Sequence, residues 1–258
     1  MAVANIIPGF GRSTMQTVQG LGRAGIFIMI AIKNIFTPPF RFDRILMEIQ
    51  FIGAKSVLII FVTSLFTGMV LGLQGYYTLN KFGAEGMLGA GVALSIIREL
   101  GPVLCALMVT GRAGSATTAE IGIMKITDQV PALEMMAIDP MQFVISPKIL
   151  AAMIALPLLT AFFDLVGIFG GYIVGVNLLE INVGAYFGEM VSATKFEDIY
   201  GGFIKSICFG FIIAWVSTYI GYTSESTTEG VSRATTNSVV LASILILVMD
   251  YVLTSILL

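Results

Sequence analysis

Apolar residues run along this chain in five long blocks set apart by short polar stretches. The blocks cover residues 52–79, 88–111, 149–178, 202–222 and 238–258. Each is close to the roughly 20 residues a helix needs to cross the hydrocarbon layer. The third is long and contains Pro157, which predicts a kink or a tilt. Ahead of the blocks, residues 15–36 have a helical pattern, but their uninterrupted apolar run, 24–32, is too short to span. With Arg12, Arg23 and Lys33 flanking it, this piece reads as an interfacial (elbow) helix lying along the membrane surface. Thr37, Pro38 and Pro39 end it, since proline cannot continue the backbone ladder. Ile45, Ile49 and Ile52 then recur at helical spacing among Arg41, Asp43, Arg44 and Glu48. The pattern predicts an all-α integral membrane protein. A single domain over 1–258 has an interfacial region in 1–50 and five transmembrane helices in 52–258.

Two connections carry patterns of their own. In the loop after the second block, Gly111, Ala113, Gly114, Ser115, Ala116 and Ala119 are small enough for close backbone approach. Thr127 is placed to cap a short helix that begins at Asp128, with Pro131 in its first turn. Leu133, Met135, Met136 and Ile138 give this helix, about 127–138, an apolar surface, ended by Asp139 and Pro140. Methionine adapts to a partner groove, so the stretch reads as a docking helix; a helix lying on the membrane is the alternative. The segment 179–201, with Glu180, Glu189, Glu197 and Asp198, predicts a short surface helix on the other side.

Composition sharpens the class. Hydrophobic residues make up 57% of the 258, charged residues only 12%, and the mean hydropathy is +0.94; a soluble domain carries about 25% charge. The net charge of −2 gives no support to a nucleic-acid partner. Histidine is absent, which removes Ser–His–Asp and Cys–His nucleophile systems and histidine-ligated metals. No lysine follows a glycine, so the phosphate-cradling G-x-x-x-x-G-K-[ST] loop is absent too. The chain itself is therefore read as no enzyme and as holding no metal or cofactor. If ATP is used, another chain binds it. Cys105 and Cys208 lie inside apolar blocks as small core residues rather than as a disulfide or a metal site. The first residues lack the basic-then-apolar order of a cleaved signal.

Charge placement sets an orientation. With the N-terminus in the cytoplasm, nine basic residues face inward: Arg12, Arg23, Lys33, Arg41, Arg44, Arg112, Lys125, Lys148 and Arg233. Only Lys81 and Lys195 face outward, and Lys55, Arg98 and Lys205 lie within the blocks. This positive-inside bias, with five spans, puts the C-terminus outside.

Charge inside a bilayer is costly and calls for a reason. Arg98 and Glu99 sit mid-block beside the Gly101–Pro102 break. Sequence neighbours on a helix do not face one another, so each needs a partner on another helix or water in a cavity. Lys205 and Asp250 have compatible depths and are paired here; Asp164 has no evident partner. These charges either only hold helices together or line a site for a charged headgroup. Leu71, Gln74, Gly75, Thr78, Leu79 and Phe82 fall on one helical face. Such a stripe serves helix packing or, beside the Arg–Glu pair, the apolar wall of a cavity for an amphiphile. Gly68 and Gly72, and Gly167, Gly171 and Gly175, recur four apart and allow close helix contact within the chain or between subunits.

The stretches ALSIIRELGPVLCALMVTGRAGSATTAEIG, EMMAIDP and ISPKILA, with GMVLGLQGY, GVSRATTNSVV and an early GRAG, resemble the MlaE-type permeases over nearly the whole chain. These are membrane subunits of ABC transporters that move phospholipids between the two membranes of Gram-negative bacteria and so maintain outer-membrane lipid asymmetry. The resemblance implies a homodimer in the inner membrane. Cytoplasmic ABC ATPase subunits would hold ATP and Mg, with a STAS-domain subunit on the ATPase and a periplasmic MCE-domain hexamer above. It also implies an outward-facing phospholipid cavity between the two copies, lined by Leu71, Gln74, Thr78, Leu79, Phe82, Arg98, Glu99 and Leu100 and by the fifth span, with Lys205 and Asp250 as intramembrane charges. Asp128, Leu133, Glu134, Met135, Met136 and Ile138 would couple to the ATPase. Two other classes compete. A lone ion or solute transporter is disfavoured because no paired carboxylates appear at one depth and no inverted repeat is visible. A lipid-modifying enzyme lacks a nucleophile–base pair.

Overall fold

The structure is a computed structural model that describes residues 6–35, 37 and 42–257. Pro38, Pro39, Arg41 and Leu258 lie outside the described residues, as does the side chain of Arg12. Among the described residues every regular element is helical. Five stretches are long and apolar enough to cross a membrane: Phe42–Asn80, Glu85–Ile126, Met141–Leu178, Phe196–Thr223 and Thr228–Leu257. They cover the five apolar blocks, the last as far as Leu257, and each starts ahead of its block, because polar flanks continue the same backbone ladder into the interface.

The first helix, α1 (Ile6–Ile35), begins well before the expected start at residue 15. It is strapped to the bundle by side chains that donate to its backbone. Trp215 Nε1 reaches Ala24 O at 3.3 Å and Tyr219 OH reaches Gly20 O at 3.3 Å. Ser146 Oγ reaches Ala31 O at 3.1 Å, and Phe27 and Ala31 are buried beneath. A short amphipathic helix, α2 (Phe42–Ile52), turns through Gly53 and a 3-10 turn, Ala54–Ser56, into the first span, α3 (Val57–Asn80).

The second span is one rod made of α4 (Leu88–Ser95), α5 (Gly101–Val109) and α6 (Ser115–Ile126), joined by π turns at Ile96–Leu100 and Thr110–Gly114. A short helix, α7 (Gln129–Met135), follows. A further π turn at Met141–Ile145 leads into the third span, α8 (Ser146–Tyr172), which stays helical through Pro157. The expected surface helix is α9 (Val183–Ala193), capped by Asn182, whose side chain accepts from Gly184 N at 2.8 Å and Ala185 N at 3.2 Å. The last two spans are α10 (Phe196–Thr223) and α11 (Thr228–Leu257).

Glycine sets the tightest crossing. A Cβ on Gly68 would sit 1.8 Å from Gly167 O, and one on Gly170 would sit 2.3 Å from Leu65 O. The two glycine rows therefore serve contact within the chain, α3 against α8, which resolves the choice the sequence left open. Ile60, Ile96, Cys105, Leu156, Phe163, Phe209 and Ile246 form the buried centre between α3, α5, α8, α10 and α11. Both cysteines are free, Cys105 buried and Cys208 half-buried.

Candidate functional site

At the end of the bundle opposite α7, a cavity of about 510 Å³ opens between the second span, the start of α10 and the end of α11. Its chemistry begins with Pro102. Proline has no N–H and leaves the carbonyl four residues earlier, that of Arg98, without a donor. The π turn frees another carbonyl, since Gly101 N reaches back to Ile96 O instead of Ile97 O. The helix that fills this gap is α10. Gly202 brings it so close that a Cβ there would lie 2.5 Å from Ile97 O. One turn on, Lys205 Nζ donates to Arg98 O at 2.9 Å.

The same ammonium gathers the site's acids. Lys205 Nζ lies 2.7 Å from Glu99 Oε2, 2.8 Å from Thr254 Oγ1 and 3.2 Å from Asp250 Oδ1. The expected Lys205–Asp250 contact is present, but Glu99 holds the shorter one. Asp250 Oδ1 is held by charge alone, without a hydrogen bond. Glu99 and Asp250 thus share one depth and one cation, which corrects the sequence reading that paired carboxylates were missing. They come from different helices, and no spacing within either block reveals the pairing. Arg98 turns the other way and pairs with Asp198, Nη2 to Oδ1 at 2.6 Å. Asp198 Oδ2 also accepts from Lys195 N at 2.9 Å and so closes the first turn of α10.

Burial divides the roles within this cluster. The Lys205 side chain is only 4% exposed, whereas those of Arg98 and Glu99 are 41% and 39% exposed. A buried cation flanked by half-open charges of both signs can organise water or a zwitterionic or anionic headgroup. Asp198, Lys195 and Thr254 belong to this lining and were not singled out from the sequence. An acid three residues after Lys195, at the mouth of an apolar block, was the available signal for Asp198. Asp164 stands apart. Its buried Oδ1 has no hydrogen-bond partner and abuts Gly101, where a Cβ would lie 2.0 Å away.

The α3 stripe does not join the cavity within one chain. Leu71 and Leu79 pack partly buried against the core, while Gln74, Thr78 and Phe82 are exposed, Phe82 at 80%. Thr78 Oγ1 donates to its own helix at Gln74 O, 3.0 Å. Leu100 is half-buried in the π turn.

At the other end, α7 is shorter than expected. Thr127 does not cap it; its hydroxyl donates back to Ile123 O at 2.9 Å and so closes α6. Asp128 takes a left-handed conformation, φ 53°, and makes the corner between the two helices without a side-chain cap. The helix ends at Met135. Ala137 is left-handed at φ 57°, Ile138 N reaches Leu133 O at 2.9 Å and Ala137 N reaches Glu134 O at 2.9 Å, a Schellman closure. Val130 and Leu133 point into the protein, Glu134, Met135 and Met136 point out, and Ile138 is half-buried. The exposed surface is thus narrower than the expected one, because Leu133 anchors the helix from below.

The profile of the family described as Permease MlaE matches residues 45–256. The intermembrane phospholipid transport system permease protein MlaE of Haemophilus influenzae is 44% identical over 257 residues, 98% of each chain. A probable ABC transporter permease protein of Rickettsia bellii is 41% identical over 250 residues, 97% of this chain and 96% of its own. The chloroplastic protein TRIGALACTOSYLDIACYLGLYCEROL 1 of Arabidopsis thaliana is 32% identical over 210 residues, 81% of this chain and 60% of its own. Matched over nearly its full length, and folded into five apolar spans around a charged cavity, this chain belongs to the MlaE permease family of multi-pass membrane proteins.

Proposed function

We propose that the chain is the membrane permease subunit of an ABC transporter that moves phospholipid between the inner and outer membranes and so maintains outer-membrane lipid asymmetry. The observation that carries this reading is the half-open charge cluster of Arg98, Glu99, Lys205 and Asp250, set among apolar spans in a chain whose relatives are named as permeases. Two copies form the working unit in the bacterial inner membrane, N-terminus in the cytoplasm and C-terminus in the periplasm. Between them, the exposed side of α3 with Gln74 and Thr78, and Phe82 in the turn just beyond it, supplies the wall for acyl tails, and Arg98 and Glu99 meet the headgroup. ATP and Mg reside in a cytoplasmic ATPase pair that takes the exposed face of α7, including Glu134, Met135 and Met136. A STAS-domain subunit on the ATPase and an MCE-domain hexamer in the periplasm complete the assembly. This chain supplies the shape of the cavity and the receiving surface; the hydrolysis step belongs to the partner.

The test is Glu99→Arg in the reconstituted complex. It places a third cation beside Arg98 and Lys205 and is expected to abolish lipid transfer while the complex still assembles. Normal transfer would remove the cavity from the mechanism. The two carboxylates on Lys205 also fit a proton relay in a lone transporter. That reading requires transport driven by a pH gradient without any ATPase, and co-purification of a nucleotide-hydrolysing subunit decides against it.

A further inference from the structure

Among the described residues one more cation is buried outside the charged cavity, at the opposite end. Lys148, at the start of α8, is 2% exposed and lies 2.7 Å from Glu48 Oε1 of α2 and 2.8 Å from Glu120 Oε2 of α6. Its ammonium also stands 5.9 Å from the Phe51 ring centre. A groove of about 850 Å³ runs beside this triad between α2, α6 and α7. The second π turn makes a parallel tie: Arg112 Nη1 donates to Phe51 O at 2.7 Å and to Ser56 Oγ at 2.8 Å, with its guanidinium 4.9 Å from the same ring.

The geography of these contacts is specific. Glu120 sits on the stalk that carries α7, and Glu48, Phe51 and Ser56 form the corner from which α3 rises. Gly53 keeps that corner tight, since a Cβ there would lie 2.7 Å from Ile49 O. Deeper in the protein stalk and corner meet, with Ile52 buried beside Ala113 and Thr117 and with Arg112 bonded to Phe51 O. Nearer α7 the open groove parts them, and there the ion pairs are the link between them. A buried, doubly paired lysine resists shear because displacement would expose an unpaired charge in a low-dielectric setting.

We propose that Lys148 and Glu120 are positioning residues that tie the α6–α7 stalk to the α2–α3 corner, so that displacement of α7 moves α3, the span that walls the lipid cavity in the two-copy reading above. The proposal rests on the reading that a partner ATPase drives α7, and it adds the route by which the drive reaches α3. Glu120→Gln is the cleaner variant, because its side chain is 48% exposed and Lys148 keeps Glu48 when it is neutralised. Lys148→Met is the stronger one.

The experiment uses the complete transporter in phospholipid vesicles and reads three quantities: ATP hydrolysis, lipid transfer, and the nucleotide-dependent distance between spin labels at Lys81 and Glu189 on the far end. In Glu120→Gln, hydrolysis is expected to stay near the wild-type rate while lipid moved per ATP falls about tenfold and the nucleotide-dependent shift in distance disappears. A wild-type ratio with an intact shift overturns the proposal, and so does loss of hydrolysis and transfer in equal proportion. If Lys148→Met fails to assemble, Glu120→Gln decides alone. If the unsubstituted complex hydrolyses ATP and moves no lipid, the phospholipid reading falls. The tie is then still judged by whether the distance shift depends on Glu120.

Discussion

Lys205 is the residue on which the charged cavity turns, because its ammonium answers Glu99, Asp250, Thr254 and the carbonyl that Pro102 leaves open. Removing one partner of a buried ion pair costs about 3–5 kcal/mol, since the charges left behind have no counter-ion. Lys205→Met is therefore expected to lower the unfolding free energy of the purified protein by roughly that amount, read by thermal unfolding in detergent. Adding Glu99→Gln and Asp250→Asn removes the stranded acids and is expected to restore most of the stability without restoring lipid transfer. A triple variant as unstable as the single one would show that hydrogen bonds, not charge, govern the cluster. Depth in the apolar blocks was enough to suggest the Lys205–Asp250 contact from the sequence. Glu99 and Asp198 were not legible as partners, because what assigns them is the rotation of the second span at its π turn. An i→i+5 backbone bond has no residue signature that would announce it.

At the scale of elements, the five spans were legible because length and apolarity alone specify them, and α9 because polar residues interrupt the pattern on the other side. Their joints were not. The rod of α4, α5 and α6 reads in sequence as a span and a loop, yet Ser115–Ile126 continues the helix because small residues suit close packing as well as they suit a loop. Thr127 and Asp128 read as a cap and a first helical residue, yet they form a corner, since a left-handed Asp128 lets α7 fold back under Leu133. This division of the α7 surface separates two kinds of variant. Met135→Asp, at a side chain 83% exposed, is expected to change stability by no more than about 0.5 kcal/mol while weakening capture of the partner ATPase. Leu133→Asp places a carboxylate beneath the helix and is expected to destabilise the fold itself. If both lose the ATPase with equal and unaltered stability, the inward anchoring of Leu133 is wrong. The crossing of α3 and α8 gives a third contrast. Gly68→Ala puts a methyl 1.8 Å from Gly167 O and is expected to cost about 3 kcal/mol or more, whereas Gly111→Ala meets nothing within 4 Å and is expected to be neutral.

Seen whole, the bundle is unevenly covered. Half of the most apolar window is buried in each of the second, third and fourth spans, against 28% in the first and 11% in the fifth. Apolar exposure on α11, as at Val248 and Tyr251, suits lipid directly. The exposed side of α3 does not, because it carries Gln74 and Thr78 in the C-terminal half of a span. An amide turned to hydrocarbon without a partner costs a few kcal/mol, so this face is expected to look onto the cavity shared with a second copy rather than onto the surrounding bilayer. The proposed paired arrangement satisfies that demand, and it can be tested without any assay of transport. With Cys208 replaced by serine and Cys105 left buried, Thr78→Cys is expected to cross-link two copies in native membranes when a short thiol reagent is added. Leu165→Cys, also exposed, at 70%, but on α8, is expected to remain monomeric on the same gel. Cross-linking through Leu165 and none through Thr78 would place the seam between copies on the wrong face of the bundle. The polar side of α3 would then have to be covered by a different chain.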